Sequence, residues 1–316
     1  MEKMIEEEIV LSVIIPVYNE EEIIPELYAR LTSAVKEVTK NYELIFVNDG
    51  SRDSTLPQLI HLSETDPQVF YINFSRNFGH QIAVTAGIDA CKGEAAVIID
   101  GDLQDPPELI PEMYLKHKEG FEVVYARRAK REGESYFKKL TAKWFYRILR
   151  KSTSIEIPVD TGDFRLIDRK IIDCLKKMPE QNKFLRGQIA WLGFRQTAVL
   201  FNRDKRRFGT TGYPFSKMMK FAMDGITSFS DKPLTLVTRL GFIISAFSFL
   251  VILYAIFSHF FLKQTITGWT SLIISSMFIG GVQLISIGII GEYIGRINKN
   301  VLDRPLYIIQ NTNIKE

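Results

Sequence analysis

The chain has 316 residues, 40 Lys and Arg against 37 Asp and Glu, and a formal net charge of +3. That near balance excludes a global electrostatic case for nucleic-acid binding, while the length admits one α/β domain with a full core plus a smaller appendage. The two cysteines, Cys91 and Cys174, lie far apart in no metal-ligand spacing and read as reduced thiols.

The acidic run 1–8 lacks an apolar core and is not a secretory signal. Strands and helices then alternate. Val10-Leu-Ser-Val-Ile-Ile-Pro-Val-Tyr18 is a β-branched apolar run, which predicts a buried strand. Residues 21–38 carry Ile24, Leu27, Leu31, Val35 and Val38 at helical spacing, with Pro25 in the first turn, where it is tolerated. A second strand, 43–47, ends in Asn48-Asp-Gly-Ser51. A helix at 54–63, a strand at 69–74 and a helix at 80–90 follow. A strand at 95–99 ends in Asp100-Gly-Asp102, before a helix at 107–119 and a fifth strand at 122–126. This alternation implies an α/β fold with parallel pairing and right-handed crossovers. Ligands of such open sheets sit beyond the carboxyl ends of the strands, where Asp49, Asp100 and Asp102 all fall.

After residue 130 the pattern changes. Phe137, Leu140, Trp144, Phe145, Ile148 and Leu149 form one helical face opposite Lys138, Lys139, Lys143, Arg147 and Arg150. A second such helix carries Phe215, Met218, Met219, Ala222, Ile226 and Phe229 beside Lys217 and Lys220. Basic amphipathic helices suit a membrane surface, and equally a core contact with a solvated basic face.

Residues 240–262 and 269–291 contain no Asp, Glu, Lys or Arg. Each is about 23 residues, roughly 34 Å as a helix, against a hydrocarbon core of about 30 Å. The short connector makes them a hairpin. Lys232 and Arg239 precede it, Arg296, Lys299 and Arg304 follow it, and only Lys263 lies between. The positive-inside rule then puts both chain ends in the cytoplasm. Small residues of the second span, including Gly280, Gly281 and Gly288, suit close helix packing and a homo-oligomer. The expected division is a cytoplasmic catalytic domain at 1–211, an amphipathic juxtamembrane segment at 212–233, two transmembrane helices at 234–295 and a cytoplasmic tail at 296–316.

An Asp-x-Asp at a strand end is a weak signal alone, since turns and caps produce it. Here it extends to Asp100-Gly-Asp-Leu-Gln-Asp-Pro-Pro-Glu108 after a buried strand. Carboxylates so placed hold a divalent cation, Mg²⁺ or Mn²⁺, that stabilises a departing diphosphate. Together with Val13-Ile-Ile-Pro-Val-Tyr-Asn-Glu20, Val47-Asn-Asp-Gly-Ser-Arg-Asp-Ser-Thr55, Ser75-Arg-Asn-Phe-Gly-His-Gln81 and Thr161-Gly-Asp-Phe-Arg-Leu166, this motif resembles inverting family 2 glycosyltransferases. The closest branch is the polyprenyl-phosphate transferases: dolichol-phosphate mannose synthases and bacterial undecaprenyl-phosphate glucosyltransferases.

The resemblance implies a GT-A fold, a mostly parallel Rossmann-like sheet, with a C-terminal two-helix hairpin. It implies inverting transfer of a hexose from a nucleotide-sugar, UDP-glucose first and GDP-mannose as the alternative, to polyprenyl phosphate at the cytoplasmic face of the cell membrane. It puts Pro16, Tyr18, Glu20 and Asp49 at the nucleotide, with Asp49 reading the base. Asp100 and Asp102 face the phosphates and metal, and Gln104 completes the coordination. Arg127, Arg128, Arg203 and Lys217 supply positive charge, and Asp163 faces the acceptor. Gly101 stands where many relatives carry Ala, a departure between two small residues. From the residues alone, Asp49 also suits a turn, Asp105 a helix cap, Asp163 a pair with Arg165, and His80 a satisfied polar residue at a helix start. A processive polysaccharide synthase would need Gln-x-x-Arg-Trp, and Gln188-Ile-Ala-Trp191 lacks both the spacing and the Arg. An inactive membrane scaffold is the reading from another class, disfavoured by the intact acidic motifs.

Overall fold

The computed structural model describes residues 8–128, 161–201, 232–257, 261 and 268–315. Four parallel strands form its centre: β1 (Leu11–Val17), β2 (Tyr42–Asn48), β3 (Val69–Phe74) and β4 (Ala95–Ile98), in the order β4-β1-β2-β3. Every residue of β1 and β2 is buried, as a sheet covered on both faces requires.

Side chains alternate between two cores, following the strand period of two. Val13, Ile15, Leu44 and Phe46 point to a core closed by α1 (Ile24–Lys36), α2 (Thr55–Thr65) and α4 (Ile110–Lys118). Ile14, Ile45 and Val47 point to the other, closed by α3 (His80–Ala90), α5 (Arg169–Lys176) and α6 (Leu185–Trp191). Gly87 lets α3 approach this face, because a Cβ there would run into the Ile14 side chain. The helix expected at 107–119 is a 3₁₀ turn, Pro107–Leu109, leading into α4.

The second half of the sheet changes direction. β6 (Thr161–Asp168) is antiparallel to both β4 and β5 (Val123–Arg128), and β7 (Gln196–Phe201) lies parallel on the far side of β5. The register Ile98↔Arg165 matters for the site. Continued by two residues, it carries Asp163 of β6 toward Asp100.

Two long helices follow, α7 (Lys232–Phe257) and α8 (Trp269–Leu302). Their segments Leu234–Val251 and Ser275–Leu302 are long and apolar enough to cross a membrane. Their large apolar side chains stand exposed: Phe242 at 74%, Met277 at 75% and Leu284 at 72%. The stretch expected to be a separate tail behaves differently. α8 runs to Leu302, and β8 (Ile309–Thr312) then joins the sheet as an edge strand antiparallel to β3. The amphipathic helices expected near 137–150 and 215–229 lie outside the described residues.

Candidate active site

The tips of β1, β2 and β3 are tied together mainly by backbone groups. Asn19 sits in the left-handed region with φ 54°, a conformation Asn tolerates better than most residues. Its N–H donates to Ser51 Oγ at 2.9 Å, and its side-chain oxygen accepts the Arg52 N–H at 2.9 Å. The Glu20 N–H donates to Thr55 Oγ1 at 2.9 Å. Gly50, with φ 70°, lies so close to the next loop that a Cβ would meet the Arg76 carbonyl carbon at 2.5 Å. A cavity of about 310 Å³ opens here, lined by residues that include Tyr18, Gly50, Arg52, Asn73, Arg76 and Gln310. That is the low end of the range for small-molecule sites, roughly 300–1,000 Å³.

The expected nucleotide residues separate into different places. Tyr18 lines the cavity and is 43% exposed. Pro16 is buried within β1, and Glu20 is half-buried. Asp49 is buried and faces backbone instead of open space. Its carboxylate accepts the Phe78 N–H at 2.7 Å and the Gly79 N–H at 3.0 Å. Burial pushes its pKa up, and those two N–H groups pull the other way. Asp49 therefore shapes the loop 75–79 that leads into α3.

The turn after β4 is tight. A Cβ on Gly101 would meet Val17 Cγ1 at 2.9 Å and the Pro16 carbonyl oxygen at 3.1 Å. The exchange of Gly for Ala, which looked neutral in sequence, is therefore constrained by the end of β1. Leu103 has φ 54°, strained for a branched apolar residue. Asp102 is half-buried, and its Oδ1 accepts the Gln104 N–H at 3.1 Å.

Beside this turn lies a cluster of charges centred on Asp163. Arg186 Nε, at the start of α6, donates to Asp163 Oδ1 at 2.6 Å. Gln81 Nε2 donates to Oδ2 at 3.0 Å, and Gln81 Oε1 accepts the Leu185 N–H at 3.2 Å, so one amide joins α3, β6 and α6. His80 Nε2 lies 3.0 Å from Asp163 Oδ2 and 3.5 Å from Asp100 Oδ1. Arg165 is buried beneath and donates to the Gly162 carbonyl at 3.0 Å.

These neighbours set the protonation states. Burial would raise the Asp163 pKa, but Arg186 and His80 hold it well below the usual carboxylate range. Burial would lower His80, but Asp100 and Asp163 outweigh it and lift the imidazole to about 9. Asp100 moves up, chiefly through burial, with Asp163 and Asp102 adding to the rise and His80 opposing it. Burial brings Arg165 down to about 10. At neutral pH the cluster thus contains a firmly ionised Asp163 and a cationic His80.

His80, Asp100 and Asp163 bring ligand atoms within 4.8 Å of one another. Asp163 is poorly suited to hold a cation, since both oxygens already face Arg186, Gln81 and His80. Asp100 is better suited. Its Oδ1 is buried and makes no hydrogen bond, with His80 3.5 Å away as its charged neighbour, a setting in which a hard cation can take the oxygen. Asp100, Asp102 and Gln104 share one short turn and offer oxygen donors, the donor chemistry that a hard divalent cation takes.

Of the other expected residues, Arg127 is exposed at the end of β5. Arg128 ends the same strand, and its side chain lies outside the described residues, as do Arg203 and Lys217. Sequence reasoning missed Arg186 and Gln81. Gln81 stands inside a quoted motif beside His80, whereas Lys183-Phe-Leu-Arg186 carries no spacing that marks it.

Comparison with known proteins places the chain in a family. The profile described as glycosyl transferase family 2 matches residues 12–176. The uncharacterized glycosyltransferase YkcC of Bacillus subtilis is 54% identical over 301 residues, covering 95% of this chain and 93% of that one. The SfII prophage-derived bactoprenol glucosyl transferase of Shigella flexneri is 39% identical over 303 residues, covering 96% of this chain and 98% of that one. Among solved structures, a Mycobacterium tuberculosis glucosyl-3-phosphoglycerate synthase bound to Mn²⁺, UDP-glucose and phosphoglyceric acid gives a TM-score of 0.46 at 20% identity, covering 73% of this chain and 80% of that one. With a matching profile over half its length and near-full-length relatives well above 30% identity, the chain belongs to glycosyl transferase family 2.

Proposed function

We propose that this enzyme transfers a glucosyl group from UDP-glucose to undecaprenyl or another polyprenyl phosphate at the cytoplasmic face of a membrane. The observation that carries the reading is the near-full-length likeness to a bactoprenol glucosyl transferase, which spans the acidic cleft and both apolar helices.

The chain's residues divide the work. The cavity beside Tyr18 and Arg76 takes the nucleoside, and the turn at Asp100 and Asp102 takes the diphosphate with its cation. A divalent cation held there neutralises charge on the leaving diphosphate. The acceptor is a phosphate monoester with a second pKa near 6, already mostly dianionic at neutral pH, so it needs no strong base. This agrees with an Asp163 that stays ionised beside Arg186 and His80. Asp163 acts by holding Arg186 and His80 beside the acidic turn, where the Arg186 charge stabilises anionic reactants. Arg127, Arg128, Arg203 and Lys217 add positive charge around the same reactants. In-line attack on the anomeric carbon inverts configuration, so an α-linked donor yields a β-linked lipid product.

The helices supply the setting. An apolar surface as large as that of α7 and α8 is not stable in water, and a polyprenyl chain does not leave the bilayer. Anchoring the domain there raises its effective concentration at the acceptor. The basic residues flanking the pair favour the cytoplasmic side for both ends. The test is incubation of membranes holding the protein with labelled UDP-glucose, GDP-mannose, UDP-galactose or UDP-N-acetylglucosamine plus undecaprenyl phosphate, followed by lipid extraction. Label from UDP-glucose in the organic phase is expected. Label from none of the four would overturn the proposal, and label from GDP-mannose alone would replace the donor.

A further inference from the structure

We propose that the strand following the second apolar helix is a working wall of the nucleotide cavity, with Gln310 a specificity-determining contact for the donor base. This rests on the reading of the cavity as the nucleoside site. Among the described residues, Gln310 is the one cavity-lining residue contributed from beyond α8, and it sits among Tyr18, Arg52 and Arg76.

Its position is held by an amide relay. Asn73, buried at the end of β3, donates from Nδ2 to Asn311 Oδ1 at 2.6 Å and reaches Gln310 Oε1 at 3.4 Å. Asn73 Oδ1 accepts from Asn48 Nδ2 at 2.8 Å. Asn48 Oδ1 accepts the Ser51 N–H at 3.3 Å, and Ser51 Oγ accepts the Asn19 N–H at 2.9 Å. One continuous polar chain thus runs from the tail to the tip of β1. The contact to Asn73 engages the Gln310 amide oxygen, so the amide NH₂ is the group available to a carbonyl-bearing base such as uracil.

A second, apolar route converges on the same cavity. Tyr307 stacks on Phe74 with ring centroids 5.2 Å apart, and Phe74 meets Phe78 edge-on at 5.5 Å. The Arg76 guanidinium lies 3.9 Å over the Phe78 ring. Tyr307 is fixed by donating its hydroxyl to Asp89 Oδ2 at 3.0 Å. A residue beyond the apolar hairpin therefore underlies the aromatic stack that carries a cavity-lining arginine. The tail is firmly seated. The Ser75 N–H donates to the Ile308 carbonyl at 3.0 Å, Thr312 Oγ1 donates to the Tyr71 carbonyl at 2.6 Å, and Asn313 Nδ2 donates to the Val69 carbonyl at 3.0 Å. The cavity is in this way tied within a few residues to the end of α8.

The test uses the full chain in detergent, with UDP binding measured by calorimetry and UDP-glucose kinetics measured alongside. Gln310→Ala should raise the UDP Kd and the donor KM roughly fivefold, the scale of one hydrogen bond, with kcat and melting temperature unchanged. It should also narrow the preference for UDP over CDP, whose base presents an amino group where uracil presents O4. Gln310→Glu, which replaces the donor NH₂ with a carboxylate, should weaken UDP binding further. An unchanged Kd in both variants overturns the assignment. So does a fall in kcat and melting temperature with KM constant, since that would make the strand structural only. Wild-type protein that binds neither UDP nor UDP-glucose would remove the nucleoside reading itself, and this inference with it.

Discussion

On the β1–β3 side, the cleft is a lattice of backbone N–H groups and side-chain amides around Gly50, Asn48, Asn73 and Gln310, with Arg52 and Arg76 lining the same cavity. On the β4–β6 side, Asp100, His80, Asp163, Arg165 and Arg186 crowd together with opposite charges 2.6 to 3.9 Å apart. In the proposed function the first wall recognises shape and base edges, and its bonds are individually modest. In the same proposal the second manages charge on phosphates, and its members fix one another's protonation states. Substitutions on the two walls should therefore fail differently: rate and stability on the ion-paired side, affinity and selectivity on the amide-lined side.

The largest effect is expected from Asp102→Asn. Losing one of two carboxylates at the diphosphate should lower kcat by at least roughly 100-fold, with an unchanged circular dichroism spectrum. A variant with full activity would break the assignment of the charged wall. Next comes Arg186→Leu, which leaves Asp163 without its nearest cation. A stability loss of about 2 kcal/mol is expected, below the usual figure for a buried pair because Arg186 is 25% exposed. Denaturant titration measures it, and adding Asp163→Asn should recover part of the loss.

The two walls were not equally legible in the sequence. The parallel strands announced themselves as buried apolar runs, and their tips carried Asp100 and Asp102 in a recognisable motif. The β4–β6 wall is assembled from distant segments. Asp163 reaches Asp100 only because β6 runs antiparallel to β4, and no local pattern near Arg186 states its partner. Asp49 is the converse case. Its motif was plain, but burial and the Phe78 and Gly79 N–H groups decide its orientation. β8 was hidden for another reason: Ile309–Thr312 is short and mostly polar, and it gains strand form only by pairing with β3.

Gly101→Ala sharpens the comparison where the walls meet. The new Cβ would press on Val17 at 2.9 Å, an overpacking of about 1–3 kcal/mol. A lower melting temperature together with weaker donor binding is expected. Unchanged behaviour would mean that the turn can move away from β1.

The smallest effect concerns Glu108, whose carboxylate takes two bonds from Arg30 at 2.8 Å, tying the segment after the acidic turn to α1. Arg30 pulls the Glu108 pKa down. A lowered carboxylate pKa gives stability that is present above the unfolded value of about 4.3 and is lost as the pH falls through the folded value. Wild type should thus melt above Glu108→Gln by no more than roughly 3 °C at pH 7. The gap should close in strong acid, and a gap that widened there would reverse the sign.

The most direct test of the central claim is Mn²⁺ binding followed by electron paramagnetic resonance, with and without UDP, in wild type and Asp102→Asn. Wild type should bind Mn²⁺ tightly only when UDP is present, and Asp102→Asn should lose that ternary binding while remaining folded. Equal Mn²⁺ binding by the two proteins in the presence of UDP would contradict the account.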